Sequence, residues 1–415
     1  MRESVKTPAK PEYRARAFVA LSLLALTVSV LSACAPFSSP SAVKTPTRQA
    51  VAPSPTPPPV IIKEYPTPTS DSGPFGIEVG PDGNLWFREL NGGRTGQQIG
   101  RITPSGVFTE FANPAPQDIR SAIELTGLVG GPDGNMWFTE ALFGTVAEAV
   151  ENNGIGRITP SGAITVFPVP TPNSLPEDIV VGPDGNLWFT ESLANQIGRI
   201  TPSGAITEYR LPIAQPKNVA GLDDLTTGPD GNIWFIAPGA IGRITPSGTI
   251  KEFPISSGAG NLVAGPDGNL WFTSSGAIGH ITPSGAITKF SVPTPQNTLT
   301  NLIVGPDGVF WYISVHIIRN SSGNDTYSNS RIGRITLDGA VTEFPTSTPD
   351  IPPAYLVVGP GGDLWFTESD FNHDALGYIG RVTPQGVITL FPTPTPYSGP
   401  TSIVAGPDGN LWFTE

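Results

Sequence analysis

Residues 182–191 read Gly-Pro-Asp-Gly-Asn-Leu-Trp-Phe-Thr-Glu, and this string decides the fold. Copies of it begin at Gly80, Gly131, Gly182, Gly228, Gly265, Gly305, Gly359 and Gly406, at spacings of 51, 51, 46, 37, 40, 54 and 47 residues. Every one of the 8 Trp of the chain falls inside a copy: Trp86, Trp137, Trp188, Trp234, Trp271, Trp311, Trp365 and Trp412. We read them as structural residues of the repeat. A second string, Ile-Gly-Arg-Ile-Thr-Pro-Ser-Gly or a near variant, follows seven of the eight copies, starting at Ile99, Ile155, Ile197, Ile241, Ile278, Ile332 and Ile379. Self-similarity at a period of about 40 to 50 residues is the signature of propeller blades.

Within one unit the residue types spell out four short strands. Ile179 to Gly182 is β-prone, Pro183-Asp184-Gly185-Asn186 is a turn, and Leu187 to Thr190 is a second strand. Ile197 to Thr201 is a third, Pro202-Ser203-Gly204 a second tight turn, and Ala205 to Tyr209 a fourth. Leu-Trp-Phe is apolar at consecutive positions, as expected for a sheet covered on both faces. The reading is therefore all-β: a β-propeller of four-stranded blades over residues 60–415, with seven complete blades plus a partial eighth closing blade. A seven-bladed ring with a surplus final hairpin is the alternative. The segment Val60 to Pro66 resembles a fourth strand, and Ile403 to Glu415 a first and second strand, so the two ends of the array look like complementary fragments of one blade.

Outside the array the sequence changes character. Arg2, Lys6, Lys10, Arg14 and Arg16 precede an apolar run from Ala17 to Leu31, which leads into Leu31-Ser32-Ala33-Cys34. Residues 1–33 read as a lipoprotein signal peptide and Cys34 as the acylated first residue of the mature chain. Residues 34–59 are rich in Pro, Ser and Thr and read as an extended tether. The expectation is a bacterial cell-envelope protein, extracytoplasmic and held on a lipid membrane through the acylated Cys34. Because Cys34 is the single cysteine, disulfide frameworks and thiolate sites are excluded.

Formal net charge is -12; residues 1–33 carry five basic and two acidic side chains, so removing them takes it to -15. Such a balance opposes nucleic-acid partners and suits cations or neutral and basic small molecules. Charged residues make up only 14% of the chain against 48 Gly and 47 Pro, which argues for a turn-dense β protein and against coiled coils.

Two places suggest chemistry. The insertions Ala141 to Gly154, Val315 to Arg331 and Ser369 to Tyr378 fall on the variable-loop face, the side of a rigid scaffold that usually carries function. His316 and His373 lie on the last two, with Asp325, Asp370 and Asp374 close in sequence, and are candidate catalytic or ligand residues. The second place is the channel end of the first strands, where the eight units carry Phe75, Thr126, Glu177, Asp223, Gly260, Thr300, Ala354 and Thr401. Glu177 and Asp223 come from adjacent units and are candidate ligands for Mg or Ca. The recurrent Glu89, Glu140, Glu191, Glu368 and Glu415 read as structural, as do the IGR arginines, which are expected to pair between blades. His280, in the Arg place of unit 5, reads as a local substitution.

The WFTE, IGRITPSG and PTP strings together resemble the streptogramin lyases, the virginiamycin B lyase family of seven-bladed propellers. The resemblance covers residues 60–415. It implies opening of a cyclic depsipeptide by elimination, with a magnesium ion and a general-base His in a Pro-His-Gly-Ile step. Carried over, that His place is the eight-residue channel column, and none of the eight is His; Pro74-Phe75-Gly76-Ile77 keeps the frame without the base. The family's carboxylate ligand corresponds to Glu124, beside Thr126 in the His place. These readings lead to a propeller that binds a small molecule or protein on the loop face, as a monomer, without the family's catalytic His. A metal-dependent streptogramin B lyase or a gluconolactonase-like hydrolase is the enzymatic alternative.

Overall fold

In the computed structural model, the described residues are 60–415 apart from 71, 91–96, 115–122, 143–152, 213–220, 257, 320–324, 370–376 and 397. The expected signal peptide, Cys34 and the tether lie outside them. Seven four-stranded antiparallel sheets follow one another, each a meander in chain order, and a two-stranded sheet pairs Ile403–Ala405 with Leu411–Phe413. The sheets are the blades of a seven-bladed β-propeller. First strands form its inner wall, each against the first strand of the next unit, and the Ile403–Ala405 strand lies between those of the seventh blade and the first.

Blade 3 shows how the repeat builds its sheet. Its strands are Pro176–Val181, Leu187–Glu191, Gln196–Ile200 and Ile206–Arg210. The turn residue Asp184 accepts from Asn186 Nδ2 at 2.7 Å and from Trp188 Nε1 at 3.1 Å, so one carboxylate both closes the hairpin and satisfies the indole donor. Asp133 and Asp230 do the same for Trp137 and Trp234 at 2.9 Å. Gly198 lies opposite Phe189 across the strand pair, where a β-carbon would overlap the phenyl ring. Ring and glycine therefore come as a pair in each complete blade.

Between blades the core repeats. The fourth-strand aromatic stacks on the Trp of its own blade, as Phe111 on Trp86 at 5.6 Å and Tyr209 on Trp188 at 5.6 Å. The same aromatic covers the turn glycine of the next blade, Phe111 over Gly162 and Tyr209 over Gly248. Arg157, Arg199 and Arg243 pair between blades as expected, donating to the carbonyls of Pro202, Pro246 and Pro283 of the following blade at 2.9, 2.9 and 2.7 Å, while Arg334 and Arg381 face Asp307 and Asp363 of their own blades. His280, in the Arg place, tilts against Trp271 at 5.0 Å.

At the closure, residues 60–66 hold the fourth-strand place of the last unit. Tyr65 stacks on Trp412 at 5.5 Å and covers Gly106 of blade 1, as Phe111 stacks on Trp86 and covers Gly162. Glu64 accepts from the backbone and hydroxyl of Thr395 at 2.8 and 2.7 Å, as Glu208 does from Thr171 at 2.8 and 2.9 Å. The two ends of the array are thus fragments of one unit.

One expectation needs correcting. Val315 to Arg331 was expected as a loop insertion, but much of it extends the hairpin, with strands at Phe310–Arg319 and Asp325–Ile335. Val315, Ile317 and Ile318 on one strand and Thr326 and Tyr327 on the other are β-branched or aromatic, and the pairs Ile317↔Tyr327 and Ile318↔Thr326 continue the ladder.

Candidate functional site

Each complete first strand breaks register where it reaches the channel, with bulges between Phe75 and Glu78, Leu125 and Leu128, Asp223 and Leu225, Gly260 and Leu262, Thr300 and Ile303, and Ala354 and Val357. The residues at this place in the seven complete blades are Gly76, Gly127, Asp178, Asp224, Asn261, Asn301 and Tyr355, and Ser402 holds the corresponding place just before the first strand of the last unit. Gly76, Asp224, Asn261, Asn301 and Tyr355 have φ of 62°, 38°, 25°, 56° and 51°, a region that Gly, Asn and Asp enter most readily. Sequence reading had picked out the residue just before this column. The signal that marks the column itself is Gly, Asp or Asn inside an otherwise β-branched strand.

Bulge side chains stitch neighbouring units together. Asp178 accepts from the Leu225 N–H at 2.7 Å, Asn301 from Leu356 at 3.0 Å and Ser402 from Gly76 at 2.9 Å. Asp224 accepts from Leu262 and Asn261 from Asn301 in the same way. Where a unit lacks such a side chain, hydroxyls of the second strands take over: Thr139 donates to the Glu177 carbonyl and Thr367 to the Thr401 carbonyl, both at 2.7 Å. The polar ring of the channel is therefore first a joint between blades.

Arg88 breaks the pattern. It stands where other units have Thr or Ile, reaches into the wall beside Gly76, and lies over the Phe75 ring at 4.1 Å. Its Nη1 donates to the Leu125 carbonyl at 2.6 Å and to that of Thr126. Desolvation pulls its guanidinium down to about 10, opposed by Tyr355, Glu78, Asp178 and Glu124. Glu78, on the same blade, is open to the channel yet crowded by protein; the crowding pushes its carboxyl up to about 7, with Arg88 opposing. Every other unit has Val, Thr or Ile at the Glu78 place. Glu78 and Arg88 are the two functional candidates that sequence reading missed, and their departure from the repeat was the available signal.

The sequence-predicted residues fall as follows. Glu177 accepts from Ser192 Oγ, which also lies 3.0 Å from the Leu222 carbonyl, so Glu177 comes close to the strand that begins at Asp223. The side chain of Asp223 lies outside the described residues. Glu124 is the second residue of the first strand of blade 2, exposed, with its carboxyl raised by crowding against the pull of Arg88. Among the described residues no three His, Cys, Asp or Glu side chains gather as a metal site would require. Asp178 and Asp224, just behind the channel column, each receive a backbone N–H group of the next blade.

His316 sits on the extended hairpin, opposite Ser328, whose hydroxyl lies 3.3 Å from Nδ1. Together with Pro293, Thr294, Gln296, Asn297 and Asn329 it lines an open pocket of about 240 Å³. Asp325 is taken up by Arg319 at 3.0 Å. His373, Asp370 and Asp374 lie outside the described residues, so no convergence of the two histidines is described.

Comparison with known proteins follows the repeat. A family model described as the virginiamycin B lyase family matches residues 60–220, 97–321 and 324–415. A virginiamycin B lyase of Nocardia farcinica is 29% identical over 157 residues, 31% of this chain and 51% of that protein. One of Bordetella parapertussis is 36% identical over 75 residues, 18% of this chain and 20% of that protein. The matches thus span about half of the first relative's length and a fifth of the second's. Among solved structures, the virginiamycin B lyase of Staphylococcus aureus superposes with a TM-score of 0.54 at 35% identity, covering 72% of this chain and 92% of that one. A catalytically inactive variant of it, solved with quinupristin, gives 0.54 at 36%, covering 71% and 92%. A streptogramin B lyase gives 0.54 at 28%, covering 79% and 97%.

Proposed function

The chain belongs to the virginiamycin B lyase family, and we propose that within it this protein is a binding propeller, anchored by an acylated Cys34 on the outer side of a bacterial membrane. Its ligand is a neutral or cationic small molecule taken at the loop-bearing end of the channel. One observation carries this reading: the column in which the family's general base stands holds no His, and the carboxylates just behind it, Asp178 and Asp224, already bond the next blade's backbone. Groups so engaged hold a shape; they are poorly placed to move a proton. The surrounding Glu124 and Glu177 give this end of the channel a negative cast, with Arg88 as a fixed donor against it.

The test is a titration with quinupristin, the compound solved with the Staphylococcus aureus variant, followed by mass spectrometry of the mixture. Saturable binding with the ring intact is expected. Ring-opened product would overturn the noncatalytic part. Lipid anchoring is checked by whether Cys34→Ser releases the protein from the membrane fraction.

Glu78 favours a second reading. A channel carboxyl near pH 7 beside a guanidinium has the proton affinity of a general base. A relocated-base lyase predicts that Glu78→Gln lowers product formation by about 10²-fold or more, while quinupristin still binds.

A further inference from the structure

Blade 6 departs from the repeat around one pocket. Its extended hairpin stands beside residues 293–297, which lead from the last strand of blade 5 into the first strand of blade 6. That connection is clamped as in other units: Thr294 Oγ1 donates to Glu343 at 2.5 Å, as Thr171 Oγ1 does to Glu208 at 2.9 Å. The residues facing it are the blade's own. Ser314, where blades 1, 2, 3 and 7 have Glu, accepts from Asn297 Nδ2 at 2.8 Å, and the buried Asn297 also donates to the Asn329 carbonyl at 3.3 Å. Arg331, where blade 3 has Gln196, donates from Nε to Asn329 Oδ1 at 2.8 Å. Asn329 itself, with φ of 55°, sits at the register break of the hairpin. Three polar functions of the pocket remain open. His316 places Nδ1 beside Ser328 and keeps Nε2, Asn329 keeps its amide nitrogen, and the exposed Gln296 has no partner among the described residues.

We propose that this pocket is a second binding site, distinct from the channel, and that it takes one neutral hexopyranose residue of a glycan. Size comes first: about 240 Å³ lies below the roughly 300 Å³ at which pockets for drug-sized ligands begin, so a single ring fits and a depsipeptide does not. Charge comes second. Among the described residues lining the pocket none carries a carboxylate, ammonium or guanidinium, and the Glu343 and Arg331 behind it face each other, with Nε 3.7 Å from Oε2. An amine or an anion would therefore meet no counter-charge there, and the net charge of -12 disfavours an anion further. Hydrogen bonding comes third. Hydroxyls on successive ring carbons each donate and accept, which suits an imidazole nitrogen, an amide nitrogen and a whole amide group set around one cavity. Pro293 and Pro295 offer apolar surface to the C–H face of the ring.

The probes are free N-acetylglucosamine, glucose, galactose and mannose, titrated into the full chain in micelles of a detergent without sugar head groups. Binding is followed through the imidazole signals in NMR spectra, with that of His316 identified by its loss in His316→Gln. One-to-one saturable binding of at least one sugar, with movement of the His316 signal, is expected. Gln296→Ala removes an exposed side chain, and Asn329→Gly keeps the left-handed backbone while removing the amide; each should weaken binding about fivefold, the worth of one hydrogen bond. Excess quinupristin should leave sugar binding unchanged, whether or not it occupies the channel. Saturation by none of the four sugars, or unchanged binding in either variant, would overturn the proposal. So would displacement of the sugar by quinupristin, which would join the pocket to the channel site, or tighter binding of inorganic phosphate than of any sugar.

Discussion

Glu191 is fully buried, and neither of its carboxyl oxygens makes a well-formed hydrogen bond. Burial first, and Glu208 second, push its carboxyl up to about 8 from an ordinary 4.5. Glu140 rises to about 7 in the same place of blade 2, and Glu368 to about 8 in blade 7, burial leading in both. A raised folded value means that the folded state binds more protons than the unfolded chain. Stability from these groups is therefore complete below about pH 4.5 and is lost as pH rises through 7 to 8. A tenfold change in proton affinity is worth about 1.4 kcal/mol. Glu191→Gln is accordingly expected to stabilise the protein by on the order of 5 kcal/mol at pH 9 and to change little at pH 4.5. Thermal unfolding at the two pH values checks this; an equal effect at both would refute it. Arg88→Thr, which restores the common residue type, should leave Glu78 with a still higher proton affinity, read from its carboxyl carbon shift against pH.

The bulge makes each first strand a joint as well as a wall. Asn301 combines a positive φ with a bond from its side chain to the Leu356 N–H, so one residue sets both the bend and the contact with blade 7. Asn301→Ala should lose both and destabilise by about 2 kcal/mol. Asn301→Gly should recover part of the loss, since glycine accepts the backbone angle but not the hydrogen bond. Urea unfolding of the three proteins separates the terms, and equal midpoints for the Ala and Gly variants would show that strain plays no part. The extended hairpin at Phe310–Arg319 and Asp325–Ile335 teaches a complementary lesson. Its length against the other units marked an insertion in the sequence, but only its cross-strand pairs showed that the insertion continues the sheet.

At the scale of the whole molecule, the circle depends on residues 60–66. Tyr65 does for blade 1 what Phe111 does for blade 2, although it comes from the other end of the array. Tyr65→Ala should lower stability by about 3 kcal/mol. If the ring is closed by this contact, the last unit should loosen first, with faster amide exchange at Leu411–Phe413 than at Leu187–Glu191. Uniform loss of protection across all blades would contradict the assignment.

What the sequence determined by itself was everything that repeats. Eight Trp strings, seven IGR strings and two complementary ends are local patterns, and local residue types suffice to specify short strands, tight turns and a glycine under each phenyl ring. The family resemblance rested on the same strings and held over residues 60–415. Tertiary structure alone decided what depends on which residues meet across the channel. The bend that aims Asp178 at Leu225 and the crowding that lifts Glu78 arise between segments distant in the chain. Proton affinity is a property of surroundings, and surroundings are assembled only when the circle closes.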